Sequence, residues 1–271
     1  YPGAQHTRFQ HAIGAMHLMH TAIKSLRSKD IAISEQEEVS VLLAILLHDI
    51  GHGPFSHSLE HSILENVNHE DISSVLMHQI NTKMDGQLDM AIQIFENKYH
   101  RPFLHQLVSS QLDMDRLDYL RRDSFYTGVS EGTVGIERII QMLNVRDEQL
   151  IVDQKGIYSV EKFLMARRFM YWQVYLHKTS IVGDCLLVGT LQRAKELLAS
   201  GEQIFASPFL AFFLTQNFTK EDLQREDVLT NFCNLDDNEI ISAIKVWQTN
   251  PDRTLSLMSK MIIERNLLKI E

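Results

Sequence analysis

Apolar side chains recur at Ile13, Met16, Met19 and Ile23 within TRFQHAIGAMHLMHTAIKSLR, residues 7–27. That spacing, near 3.6, predicts a helix. The polar connection SKDIAISEQEE follows, with Ser34 and Glu37 three apart as a capping box requires. A second helix is predicted from about Glu35 to Asp49, broken by Gly51, Gly53 and Pro54. Further helices are predicted over residues 56–65, 69–80 and 85–97, with helical patterning through 103–123. SFYTGVSEGTVGIE, residues 124–137, reads as a loop. In LIVDQKGIYS, residues 150–159, two β-prone runs flank Asp153 and Gly156, which predicts a hairpin there. VEKFLMARRFMYWQVYLHKTSIVGDCLLVGTLQRAKELL reads as one long helix or two abutting ones, and the remainder is helical too. The predicted class is mainly α: a helical bundle with a small β-hairpin and a C-terminal helical region.

Composition narrows this little. The 271 residues suffice for one large or two small domains, and 44% apolar with 23% charged residues is ordinary for a globular chain. No run of about 18 apolar residues occurs, so no membrane span is expected. YPGAQH does not resemble a native start, and the chain is expected to lack its true N-terminus. Cys185 and Cys233 lie far apart, so a disulfide is not expected and a cytoplasmic location fits. The net charge of -9 argues against a broad nucleic-acid surface. The unusual figure is 13 histidines, ten of them before residue 80.

Their placement raises a chemical question. In LLAILLHDIGHGPFSH, residues 42–57, His48 and Asp49 directly follow a run that should lie in a core. A buried charge is costly unless something pairs with it. Three segments hold candidate metal ligands: His11 on the first helix, His48 with Asp49, and the acidic group Asp113, Asp115 and Asp118. Two imidazoles and two carboxylates suit a divalent ion such as Fe, Mn, Ni, Zn or Mg. The other helical histidines, His17, His20, His61, His78, His100 and His105, are read as ordinary polar residues.

RFQH (8–11), HDIGHGPFSH (48–57), HE (69–70) and DMDRLDYLRRD (113–123) together resemble the HD-domain phosphohydrolases. The likeness is to the branch of dNTP triphosphohydrolases, dGTPase-like enzymes included, and runs from Tyr1 to about Lys178. It implies a metal-dependent HD core over residues 1–135. A helical extension over 136–271, carrying the hairpin, would complete the substrate pocket. It implies that His11, His48, Asp49 and Asp115 ligate the metal, which selects Asp115 among the three aspartates. It places His52, His57 and His69 along the phosphates, with His57 as general acid and Glu60 as acidic partner of His69. Arg8, Arg116 and Arg167 would hold the polyphosphate. Tyr119 and Asp123 would lie beside the deoxyribose, Asp123 facing the 3′-hydroxyl, and Tyr175 would leave no room for a ribose 2′-hydroxyl.

The implied reaction is attack of a metal-bound hydroxide on the α-phosphate of a dNTP, giving a deoxynucleoside and inorganic triphosphate. A homo-oligomer is implied as well. Two rival readings remain: an HD phosphohydrolase acting on a nucleoside monophosphate or cyclic nucleotide, and a nucleotide-binding regulatory protein with little turnover.

Overall fold

A computed structural model of the chain describes residues 1–56 and 67–269. Among them the first helix, α1 (Arg8–Arg27), starts where Thr7 accepts from the Gln10 amide while the Gln10 side chain accepts from Thr7 N–H. Such reciprocal capping satisfies two of the amide donors that a helix start leaves open. Its buried face is Ala15, Leu18, Met19, Ala22, Ile23 and Leu26. Met19 and Ile23 belong to the expected stripe, but Ile13 lies outside it and is exposed. The expected Ser34–Glu37 box caps α2 (Glu35–Leu47) in the same way, and His48 is the residue that ends it.

Next come α3 (His69–Lys83), α4 (Asp89–Phe95), α5 (Pro102–Val108) and α6 (Met114–Thr127). The patterning over 103–123 is thus two helices, separated where Asp113 accepts from the Ser110 and Arg116 amides and becomes the cap of α6. Helix α6 also continues to Thr127, into the stretch expected to be a loop. A short helix, α7 (Ile136–Met142), leads into the hairpin.

The hairpin lies one strand earlier than predicted. Strand β1 (Leu143–Arg146) pairs antiparallel with β2 (Gln149–Val152), Leu143 opposite Val152. The turn residues Asp147 and Glu148 both take positive φ, 52° and 56°, the twist that a two-residue hairpin turn demands. Residues after Val152 form no strand: Gln154–Gly156 is a 3-10 turn, and Ile157 opens α8 (Ile157–Met170). Lys29 pins the hairpin by donating to Leu143 O at 2.6 Å and to Asp153 at 2.9 Å.

The long C-terminal pattern resolves into α8, a single π-helical turn (Tyr171–Tyr175) and α9 (Lys178–Ala199). Helices α10 (Pro208–Thr215), α11 (Glu226–Asn234), α12 (Asp237–Trp247) and α13 (Arg253–Ile263) complete the order. No helix among the described residues is long and apolar enough to cross a membrane.

The chain forms two units. The first comprises Tyr1–Ile50 and Leu76–Tyr175, and the second Gly51–Val75 and Leu176–Glu271. In the first, α1 packs on α2 and α6, and α2 on α4. Its core runs from Ala15 and Leu18 through Phe103, Leu117 and Leu120 to Phe163 and Met170. In the second, α9 packs on α10 and α13, and α12 on α13.

Candidate functional site

Helices α1, α2 and α6 meet in the core of the first unit, and each brings an ionisable residue to the meeting point. His11 and His48 are both 8% exposed. One ligand atom from each of His11, His48 and Asp115 lies within 4.8 Å of the other two. His11 Nε2 stands 3.1 Å from Asp115 Oδ1 and 4.0 Å from Asp49 Oδ2. His48 Nε2 stands 3.5 Å from Asp115 Oδ1 and 3.4 Å from Asp49 Oδ1. Three donors from three chain segments thus face one small volume, and the Asp49 carboxylate lies within 4.0 Å of both imidazoles.

The far side of each imidazole is fixed. His11 Nδ1 lies 2.8 Å from Asp118 Oδ2, and His48 Nδ1 lies 2.6 Å from the Ile45 carbonyl. Both partners accept, so both Nδ1 atoms carry hydrogen, and each neutral ring turns the lone pair of Nε2 inward. His48 Nε2 is buried without a hydrogen-bond partner. Two lone pairs aimed at two carboxylates need a cation between them, and this donor set fits a divalent ion.

Without a metal, protons fill the role. Burial opposes a charged His11, but the hydrogen bonds and charges of Asp115 and Asp118 prevail and push it up to about 9. His48 is raised against the same penalty by Asp115 and Asp49. Burial alone would raise Asp115, but the two imidazoles beside it hold it well below the usual carboxylate range.

The three aspartates do three different things. Asp115 faces the two Nε2 atoms. Asp118, 2% exposed, grips His11 from behind and is itself held by Arg122 through two bonds of 2.8 and 2.9 Å. Asp113, fully buried, caps α6 and pairs with Arg116; burial and the neighbouring charge of Asp115 push it up to about 6.

Around this cluster lie most of the other expected residues. Arg8 donates to Asp49 Oδ2 at 2.9 Å. Arg116 is paired with Asp113, its Nε–H buried without a partner. Arg167 reaches Gln111 at 3.3 Å and lies over the Tyr171 ring. Tyr119 stacks edgewise on His11 at 6.5 Å and on Tyr175 at 6.1 Å. Burial raises its hydroxyl most, Tyr171 and Asp115 raise it further, and Arg116 and Arg167 oppose them. Tyr175 donates to Asp123 Oδ2 at 2.5 Å. Burial and that carboxylate push the Tyr175 hydroxyl far up.

A model of the HD domain matches residues 8–123, and one of the HD associated region matches residues 134–207. A crystal structure of a phosphohydrolase from Bacteroides thetaiotaomicron VPI-5482 superposes with a TM-score of 0.97 at 58% identity, covering 100% of this chain and 68% of that one. The chain belongs to the HD-domain phosphohydrolases. It is also 31% identical to the uncharacterized protein YwfO of Bacillus subtilis, over 99% of this chain and 61% of that protein. A Dictyostelium discoideum homologue of SAMHD1, named as a deoxynucleoside triphosphate triphosphohydrolase, is 29% identical over 75% of this chain and 43% of its own length. The chain thus spans 61% of YwfO and less than half of the SAMHD1 homologue.

Four expected residues of this HD phosphohydrolase remain. His52 and His69 belong to the second unit, stacked at 3.9 Å with an interplanar angle of 13°. His57 and Glu60 fall outside the described residues. Reading the sequence missed His6, whose Nε2 lies 2.8 Å from Asp123 Oδ1, and took Asp118 only as a rival of Asp115. For Asp118 the signal was present: three residues after Asp115, it shares nearly the same helix face.

Proposed function

We propose that this chain is a divalent-metal-dependent phosphohydrolase that cleaves a dNTP to a deoxynucleoside and inorganic triphosphate. The observation that carries the reading is the continuous path from the His/Asp cluster through Tyr119 to the Tyr175–Asp123 pair. It sets a metal-binding pole beside a paired aromatic hydroxyl and carboxylate, the groups that suit a polyphosphate at one end and a sugar at the other.

His11, His48, Asp49 and Asp115 would hold the ion. When bound, it supplies polarisation of a phosphoryl oxygen and acidification of a water. Arg8, Arg116 and Arg167 offset charge on the phosphates, in a setting where fixed charges act more strongly than in water. Asp123 accepts from the 3′-hydroxyl, and the Tyr175 ring excludes a 2′-hydroxyl by contact. Residues 136–175, which belong to the first unit, take part through Arg167 and Tyr175. Proton donation to the leaving 5′-oxygen is assigned to His57, with Glu60, His52 and His69 in support.

The test offers four dNTPs and four NTPs with Fe, Mn, Ni, Zn or Mg, and identifies the phosphate product by ³¹P NMR. Inorganic triphosphate from dNTPs supports the reading. Equal hydrolysis of NTPs favours the general phosphoesterase, and binding without release favours the regulatory protein.

A further inference from the structure

The six residues before the N-cap of α1, YPGAQH, form a strap fixed across the first unit. Tyr1 donates its hydroxyl to the carbonyl of Gln173, in the π turn. Two short backbone bonds fold the strap on itself, Ala4 N–H to Tyr1 O at 3.1 Å and Gln5 N–H to Gly3 O at 2.9 Å. A β-carbon at Gly3 would stand 2.6 Å from the carbonyl oxygen of Tyr126, so only glycine lets the strap pass this close to α6.

The strap delivers one side chain. The His6 ring lies on Tyr126, centroids 4.6 Å apart and planes within 19°. Its Nε2 meets Asp123 Oδ1 at 2.8 Å, while Tyr175 occupies Oδ2. A carboxylate accepts, so Nε2 carries the hydrogen; the other ring nitrogen, Nδ1, is buried with no partner. Two donors from two separate segments therefore fix the plane of Asp123. An acceptor free to turn could leave a substrate that lacks a donor and hydrate itself instead. A fixed acceptor cannot, and a missing hydroxyl then leaves it unsatisfied.

We propose that His6 is a positioning residue for sugar recognition: by clamping Asp123 opposite Tyr175, it makes the site discriminate a 3′-hydroxyl from a 3′-hydrogen. The inference rests on the deoxynucleotide reading of the site. It predicts that discrimination, more than overall turnover, follows the His6–Asp123 bond.

The experiment compares kcat/KM for a dNTP and its 2′,3′-dideoxy form in the full chain, as wild type, His6→Ala and His6→Gln. The wild type should favour the 3′-hydroxyl. His6→Ala should shrink that ratio by roughly 10-fold, the effect of losing one hydrogen bond to a charged group. His6→Gln, whose amide N–H reaches as far as Nε2, should recover most of it, which a merely structural histidine would not show. Gly3→Ala displaces the strap without touching His6 and should shrink the same ratio, so it serves if His6→Ala does not fold. An unchanged ratio in His6→Ala, or in Gly3→Ala where that variant stands in, overturns the role of His6 and leaves the deoxynucleotide reading standing. A wild type that does not distinguish the two substrates overturns both.

Discussion

Stripping the metal should leave a protein whose stability falls as the solution becomes more alkaline. His11 is the group responsible. It is held at about 9 against an ordinary 6.5: burial works against its charge, but Asp115 and Asp118 outweigh that. At about 1.4 kcal/mol per pH unit, this difference is worth about 3 kcal/mol. The folded value lies above the unfolded one, so the contribution is complete below about pH 6.5 and is lost as pH rises through 9. His48 is raised too and adds a loss of the same sign. Asp113, raised from 3.8 to about 6, has given up its own share before this window opens. The assay is urea unfolding followed by circular dichroism between pH 6.5 and 9.5, after dialysis against a chelator. The same series with a saturating divalent ion should lose the decline, because the ion takes the place of the proton. His11→Gln should flatten the metal-free curve. A metal-free protein equally stable at both ends, or a His11→Gln variant with the wild-type slope, would refute the reasoning.

Asp118→Asn should weaken metal affinity by roughly 10- to 100-fold, measured by competition with a chromophoric chelator; wild-type affinity would detach Asp118 from the site. Gly14→Ala places a β-carbon 2.1 Å from both Asp118 Oδ1 and Arg122 Nη2. It should cost about 2 kcal/mol or more, and an unshifted thermal transition would contradict the packing. Tyr175→Ala should narrow the dNTP-to-NTP gap in kcat/KM mainly by admitting NTP, whereas an equal loss for both substrates would remove the steric argument. His57→Ala should lower kcat by roughly 10²- to 10⁴-fold with metal content intact; loss of the metal would instead mark His57 as structural or a ligand.

What could be read in advance was what local chemistry writes down. The cap of α2 was legible because Ser34–Glu37 carries its function in a three-residue spacing, whereas the equivalent Thr7–Gln10 box of α1 was passed over. The hairpin was misplaced because its turn pairs Asp147 with Glu148, and Glu148 does not advertise positive φ as Gly, Asn or Asp would. Asp153 and Gly156 meanwhile imitated a turn. The break between α5 and α6 hangs on one buried carboxylate, Asp113, that a periodicity of apolar residues does not register. Spacing put Asp118 on nearly the same helix face as Asp115, but it did not assign the separate jobs of Asp113, Asp115 and Asp118. One faces the backbone of its own helix start, one the inner nitrogens of two imidazoles, and one the outer nitrogen of His11. Only the packing of α1 against α6 separates them.

The π turn at Tyr171–Tyr175 makes chain length itself a determinant of this site. A π turn accommodates one residue more than an α turn, so it absorbs about 100° of rotation that a regular helix would impose on everything beyond it. Removing a single residue there would leave every side chain in place by name and still swing Tyr175 away from Asp123. Related chains should therefore tolerate substitutions between Met170 and Tyr175 more readily than insertions or deletions. Gene shuffling across this segment should preserve the residue count even where it discards the residues.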